Sequence, residues 1–378
     1  MGTLPAPVMN NAIETQTRLE ALPTVSASDR ASPCLHRTVF GGNPTRRICW
    51  ASVALVQLQP SLNPYVGPMV RLRLYLVGWL WLAGTLAFAQ SPVTINELSR
   101  LRYGGGTLVA ERVLERNLRF TRYLIRYPSD GLVMYGFMNV PNAAGRFAVV
   151  IVIHGYVNPS TYRTLAYTAR YADNLAEAGF ITIHPNLRGH GLSQGPPEQS
   201  AWRVQYAVEI LDLAAIVRAQ AGRGALEKAL PSIGLMGHSM GGGIAQRVAV
   251  LDPQIRAVLL YSTMHGDDLK NARQICYVFT NRQRGCGEIN TPPQTMAQIS
   301  PIHFYSRMRA RVQLHHGTAD PQTPYAWAGE ICAALRKNNV PHQCFTYPGA
   351  GHTFQGENYD NLMRRARGFF DRALRNGE

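Results

Sequence analysis

The sequence contains very little lysine and no long run of one charge. Of its 378 residues, 38 are basic, and only Lys228, Lys270 and Lys337 are lysines. No run of Lys or Arg exceeds two residues, and no nucleic-acid-binding motif is present. The net charge of +15 therefore indicates a bias in residue usage and predicts no nucleic-acid partner.

Long hydrophobic runs are also scarce. The uncharged apolar run from Leu74 to Phe88 follows Arg71 and Arg73 and ends in Ala87-Phe88-Ala89. A basic start, a short apolar stretch and a small-residue cleavage site are typical of a signal peptide, predicted here at residues 69–89. A signal anchor is the alternative, although a membrane-spanning helix needs about 20 apolar residues. Both predict a periplasmic or extracellular protein whose membrane contact is confined to this segment.

The residues around this segment lack regular patterns. Residues 1–68 are rich in Pro, Ser, Thr and Asn without a period of 2 or 3.6, which predicts disorder. Because a signal peptide belongs at the N-terminus, translation starting at Met69 is expected, with residues 1–68 as an extension that is not made. Residues 90–118 contain a predicted helix at 93–102 and a glycine run, and are interpreted as a docking segment or linker.

Cysteine is sparse but even in number after the predicted cleavage site. Residues 90–378 keep Cys276, Cys286, Cys332 and Cys344. In an exported protein such cysteines favour disulfides, and proximity favours Cys276–Cys286 and Cys332–Cys344 over the other connectivities. The spacings do not match a zinc site, and neither a metal nor an organic cofactor is predicted.

From residue 119 onwards, apolar strands alternate with helical segments. Strands are predicted at 120–127, 132–140, 147–153, 180–184, 232–236, 255–261, 312–316 and 343–347, and helices at 162–178, 202–220, 242–251, 325–338 and 362–374. This alternation predicts an α/β fold with a mostly parallel central sheet, helices on both faces and an N-terminal antiparallel hairpin. Residues 262–308 interrupt the alternation and are interpreted as a cap inserted into a domain that spans residues 119–378.

Gly237-His238-Ser239-Met240-Gly241 lies between a predicted strand and a predicted helix. This arrangement is typical of a nucleophile elbow, in which a sharp turn exposes the serine at the carboxyl end of the strand. The two glycines allow neighbouring backbone to approach closely. Ser239 is therefore the predicted nucleophile.

A serine hydroxyl needs a base to take its proton and an acid to orient that base. His352 follows the last predicted strand, and Asp320 follows the strand before it. The order Ser, Asp, His predicts a catalytic triad of Ser239, Asp320 and His352, with Asp267 as the rival acid. Of the remaining histidines, His238 is interpreted as packing beside the nucleophile and His190 as a residue that could line the pocket.

The intermediate of acyl transfer needs N–H donors for its oxyanion. One donor is the residue after the nucleophile, Met240. The other comes from the loop after the first buried parallel strand, His154-Gly155-Tyr156, where the Tyr156 amide is predicted.

These motifs, with Asn186-Leu187-Arg188-Gly189-His190-Gly191 and His316-Gly317-Thr318-Ala319-Asp320-Pro321, resemble the α/β-hydrolase superfamily. The chain is most similar to prolyl oligopeptidase (S9)-like and dienelactone-hydrolase-like serine hydrolases. The resemblance implies the fold and the roles of Ser239, Asp320 and His352. S9 peptidases usually carry a β-propeller before the hydrolase domain, and about thirty residues between signal peptide and first strand cannot form one.

The leading hypothesis is therefore an exported serine esterase that acts on a small-molecule ester. An S9-like peptidase or amidase acting on short peptides is the alternative with the same triad. A non-catalytic binding protein of this fold would be expected to lack a triad member, and none is missing. A lipase would need an apolar cap, and residues 262–308 are polar and contain arginine.

Overall fold

The structure, a computed structural model, describes residues 92–375. The predicted N-terminal extension at 1–68 and signal peptide at 69–89 lie outside these residues. Within the described part of the chain, no helix combines the length and apolar character needed to cross a membrane.

A nine-stranded sheet forms the centre of the described chain, in the order β1-β2-β3-β5-β4-β6-β7-β8-β9. Strands β1 to β3 run antiparallel to their neighbours, and β5, β4 and β6 to β9 are parallel to one another. This confirms the predicted α/β-hydrolase fold and its N-terminal hairpin. The strands are β1 Val109–Arg116, β2 Phe120–Ser129, β3 Leu132–Pro141, β4 Phe147–Ile153, β5 Ile181–Pro185, β6 Ala229–His238, β7 Ile255–Tyr261, β8 Arg311–Gly317 and β9 His342–Tyr347.

Helices cover both faces of the sheet. Side chains alternate along β4, so Val149 and Ile151 enter one apolar cluster while Val150 and Val152 enter the other. Helices α3, α4 and α7 contribute to the first cluster, and α2 and α8 to the second. The α-helices are α1 Ile95–Leu98, α2 Ala169–Glu177, α3 Val204–Gln220, α4 Met240–Leu251, α5 Asp268–Arg273, α6 Pro293–Ile299, α7 Ala326–Lys337 and α8 Gly356–Leu374.

Three parts of the N-terminal half differ from the prediction. The helix expected at 162–178 begins only at Ala169, because Tyr162 and Tyr167 bond to Asn186 and Gly155 from a loop. The helix expected at 93–102 is confined to Ile95–Leu98. Strand β1 was not predicted, since half of Val109–Arg116 is charged and most of the strand is exposed.

Residues 262–308 form a series of short helical segments. Helix α5 continues into a π-helix at Gln274–Phe279, and α6 and two 3₁₀ segments follow. A disulfide joins Cys276 to Cys286 within this segment. A second one joins Cys332 in α7 to Cys344 in β9. Both are the pairs that proximity favoured.

We expect Gly241→Ala to lower the free energy of unfolding by about 3 kcal/mol or more, because overpacking at a rigid contact is costly. A Cβ at this position would lie 2.2 Å from the carbonyl oxygen of Ile153. Chemical denaturation measures the change. The control is Gly329→Ala in α7, where a Cβ meets no atom within 4 Å. That variant should be neutral or gain about 0.5–1 kcal/mol. Equal stability of both variants would contradict the tight elbow.

Candidate active site

Ser239 lies in the turn between β6 and α4. Its backbone has φ 55° and ψ −118°, a conformation that is strained for a residue with a Cβ. The turn is held by hydrogen bonds from Ser239 N to Tyr261 O at 3.0 Å and from Met264 N to Ser239 O at 3.0 Å. A Cβ on Gly237 would lie 2.3 Å from Gly241 O, so the turn requires glycine there. The predicted elbow is therefore present in backbone geometry.

His352 and Asp320 are joined at the carboxyl end of the sheet. His352 Nδ1 lies 3.0 Å from Asp320 Oδ1 and 2.9 Å from Oδ2. The carboxylate also accepts from Thr323 N at 3.0 Å and Gln322 N at 2.8 Å, and His316 Nε2 lies 3.4 Å from Oδ2. Burial raises the pKa of Asp320, but hydrogen bonds from His316 and His352 outweigh it and hold the pKa well below its usual range. Asp320 therefore stays ionised and fixes the proton of His352 on Nδ1.

Ser239 and His352 line the same cleft, which has a volume of about 880 Å³. Because Asp320 bonds to Nδ1, Nε2 is the ring nitrogen of His352 that is left to accept a proton. Both side chains are largely buried, with exposed fractions of 8%. The three predicted triad members are thus brought to one place in the fold.

The two predicted oxyanion donors, Tyr156 and Met240, also line this cleft. Met240 is the first residue of α4, and amides in the first turn of a helix have no intrahelical acceptor. Within residues 92–375, no hydrogen bond from the Tyr156 amide to another protein group is found. Both N–H groups therefore remain candidates for the predicted oxyanion donors.

A polar chain that sequence reasoning missed connects the oxyanion loop to the histidine loop. Gly155 N donates to Tyr167 Oη at 3.0 Å, and Tyr167 Oη lies 2.8 Å from His238 Nδ1. His238 Nε2 lies 3.0 Å from His352 O. Burial and the neighbouring His352 lower the pKa of His238 to about 3, so it is neutral. Tyr167 then donates to Nδ1, and Nε2–H donates to the carbonyl of His352.

The other sequence candidates lie elsewhere. Asp267 caps α5 by accepting from Leu269 N at 2.9 Å, so the structure brings Asp320 and not Asp267 to His352. His190 is fully buried, and its Nε2 lies 3.3 Å from Val157 O. It is absent from the lining of the cleft. His238 does pack beside the nucleophile, but it also carries the polar chain.

We expect Tyr167→Phe to lower kcat by about tenfold to a hundredfold. The substitution removes the acceptor of Gly155 N–H and the donor to His238, and each lost hydrogen bond costs about 1 kcal/mol or more. Steady-state kinetics on an aryl ester measures the effect. The control is Tyr103→Phe, which loses one hydroxyl bond to Leu98 O away from the cleft. A kcat equal to that of the control would show that the chain does not position the site.

Comparison with known proteins identifies the family of this chain. The model of the prolyl oligopeptidase family, Peptidase_S9, matches residues 166–377. A candidate carboxymethylenebutenolidase from Synechocystis is 23% identical over 239 residues, which are 61% of this chain and 85% of that protein.

Solved structures share the fold. Acetyl xylan esterase 1 from Thermoanaerobacterium aligns with a TM-score of 0.54 and 18% identity over 74% of this chain and 96% of its own. The acylaminoacyl peptidase of Pyrococcus horikoshii aligns with a TM-score of 0.56 and 14% identity over 72% of this chain but only 50% of its own. The family match covers more than half of the residues, and the chain belongs to the prolyl oligopeptidase family of α/β-hydrolases, as a serine hydrolase of the esterase or peptidase type.

Proposed function

We propose that the chain hydrolyses a carboxylic ester through an acyl-enzyme formed on Ser239, with His352 as base and Asp320 as its orienting acid. The observation that carries this proposal is His352, bonded to Asp320, in the wall of the cleft that the strained Ser239 also lines. A strained turn is a costly arrangement, and such strain is concentrated at active sites, where it is part of the mechanism.

The reaction follows from the positions of the groups. Ser239 Oγ attacks the acyl carbon while its proton passes to His352 Nε2. The carbonyl oxygen becomes an oxyanion that accepts from the Met240 and Tyr156 amides. The intermediate then expels the alcohol, which takes the proton from His352. Water repeats the sequence on the acyl-enzyme, releasing the acid and restoring Ser239.

Two features favour an ester over a peptide. The acetyl xylan esterase is covered over 96% of its length by this chain, and the Synechocystis relative over 85%. The acylaminoacyl peptidase is covered over only 50%. The family match itself favours the second candidate, a peptidase or amidase with the same triad, because the family takes its name from an oligopeptidase.

Ser239→Ala should abolish labelling by a fluorophosphonate probe and lower ester turnover about a million-fold, to background, because the nucleophile is lost. The free energy of unfolding should change by no more than about 1 kcal/mol, since one hydroxyl contributes little to folding. Turnover is measured with p-nitrophenyl esters of rising acyl length and with aminoacyl-p-nitroanilides.

Wild-type protein that prefers anilides would favour the peptidase. Folded wild-type protein that neither reacts with the probe nor turns over any substrate would contradict the proposed function and favour a binding protein.

We also propose that the enzyme is exported. Its two disulfides fit an oxidising compartment, because cytosolic thiols are kept reduced. The segment at 69–89 supplies the export signal, which leaves a mature chain that begins at Gln90.

N-terminal sequencing of the protein from its native source should therefore give Gln90, and thiol titration of the denatured, unreduced chain should find no free cysteine. Reduced protein serves as the control for the titration. A native N-terminus within residues 1–68, or four titratable thiols, would contradict export.

A further inference from the structure

The cleft beside Ser239 is lined by more cations than anions. Three arginines, Arg203, Arg247 and Arg284, contribute to its wall together with one carboxylate, that of Asp268. Arg247 forms a salt bridge with Asp268 and also donates to Trp202 O. The charges of Arg247 and Asp268 neutralise each other. The guanidinium groups of Arg203 and Arg284 are then the remaining arginine charges of the cleft.

Arg203 lines the cleft wall and has an unfavourable backbone conformation. As the residue before α3, it adopts φ 54° and ψ 34°, the left-handed region that non-glycine residues rarely occupy. Its Nη1 donates to Glu198 O at 2.8 Å, and its guanidinium lies 6.0 Å from the centre of the Tyr206 ring. Strain of this kind is concentrated at functional sites.

Arg284 reaches the same wall from the loop closed by the Cys276–Cys286 disulfide. Its Nη1 donates to Tyr156 Oη at 3.3 Å, and its guanidinium lies 5.7 Å from the centre of the Tyr156 ring. Its Nε is buried without a hydrogen-bond partner in the described residues. Because Tyr156 also carries a candidate oxyanion amide, Arg284 lies close to the reaction centre.

Neither of these two charges forms an ion pair with a carboxylate of the described residues. Among the ion pairs within residues 92–375, none includes Arg203 or Arg284. The nearby carboxylate of Glu198 accepts from the backbone amides of Ser200 and Gln205, each at 3.1 Å. Burial lowers the pKa of Arg203, and the charge of Arg284 lowers it further, while Tyr206 and Glu198 raise it. Two partly buried cations are thus held near one another without an ion-pair partner.

We infer that Arg203 and Arg284 bind a carboxylate of the substrate, so that the enzyme acts on anionic esters. This inference rests on the proposed function. A guanidinium presents a planar fork of donors that matches a carboxylate, and such charge-assisted bonds are the strongest that side chains form. The carboxylate belongs either to the acyl part, as in a dicarboxylic monoester, or to the leaving group. Both sources share the same recognition chemistry.

Two matched pairs of esters test the inference. Mono-p-nitrophenyl glutarate, with its methyl diester as the neutral counterpart, tests a carboxylate on the acyl part. The pair 4-acetoxybenzoate and methyl 4-acetoxybenzoate tests one on the leaving group. In one pair we expect kcat/KM to be at least about tenfold higher for the anionic ester, a preference that added salt weakens. Equal or lower values for the anionic ester in both pairs would overturn the inference.

Arg284→Gln should lower the ratio of anionic to neutral kcat/KM by about tenfold to a hundredfold, as should Arg203→Gln if that variant folds. The control is Arg282→Gln, in the same loop, whose side chain lies over Tyr277 and does not line the cleft. Thermal unfolding verifies that each variant is folded. A ratio in Arg284→Gln equal to that in Arg282→Gln would overturn the assignment.

Binding to Ser239→Ala separates this inference from the proposed function. Isothermal titration with the same esters should show tighter binding of the anionic member, by about tenfold or more, and loss of this difference when Arg284→Gln is added. This binding result would support anion recognition even if the wild-type protein turned over no ester. The lack of turnover would then reject only the proposed function. Equal binding of both members would reject anion recognition, whatever the turnover.

Discussion

The sharp turn at Ser239 is the constraint on which the site depends. Strand β6 reverses into α4 so tightly that a Cβ on Gly241 would meet the carbonyl oxygen of Ile153 at 2.2 Å. The same turn bonds to Tyr261 at the end of β7 through Ser239 N. The carboxyl ends of β4, β6 and β7 are therefore fixed around one strained residue. Strand pairing and helix packing elsewhere supply the free energy that holds this conformation.

The neutral imidazole of His238 links two loops that have different chemical roles. It accepts from Tyr167, which also accepts from the amide of Gly155 beside the candidate oxyanion residue. Its other nitrogen bonds to the backbone of His352 at 3.0 Å. Protonation of His238 would remove the acceptor that Tyr167 uses, and burial, by lowering its pKa to about 3, keeps it neutral near pH 7. A residue next to the candidate nucleophile is thus bonded to Tyr167, which contacts Gly155, and to the backbone of the candidate base.

Local signals in the sequence predicted the parallel sheet, the elbow and the loops of Asp320 and His352. A strand buried on both faces, such as β4, is continuously apolar, and the elbow has a fixed glycine spacing. The late start of α2 could not be predicted, because Tyr167 leaves the helix for tertiary hydrogen bonds that propensity does not encode. Strand β1 was missed since its exposed, polar residues carry little pattern. The convergence of Arg203 and Arg284 could not be predicted, because it depends on how residues 262–308 fold against the rest of the described chain.

The proposed chemistry and the proposed selectivity come from different parts of the described chain. The candidate nucleophile, base and acid follow three parallel strands, where backbone pairing limits their movement. The charge of the cleft comes instead from Arg203, at the end of a loop, and from Arg284, in a loop that the Cys276–Cys286 disulfide closes over ten residues. A short closed loop loses little further entropy when a ligand orders it, so Arg284 can contribute its charge at low cost. Under the proposed anion recognition, substitution of Arg284 would therefore change which substrates bind while leaving the strand-borne groups in place.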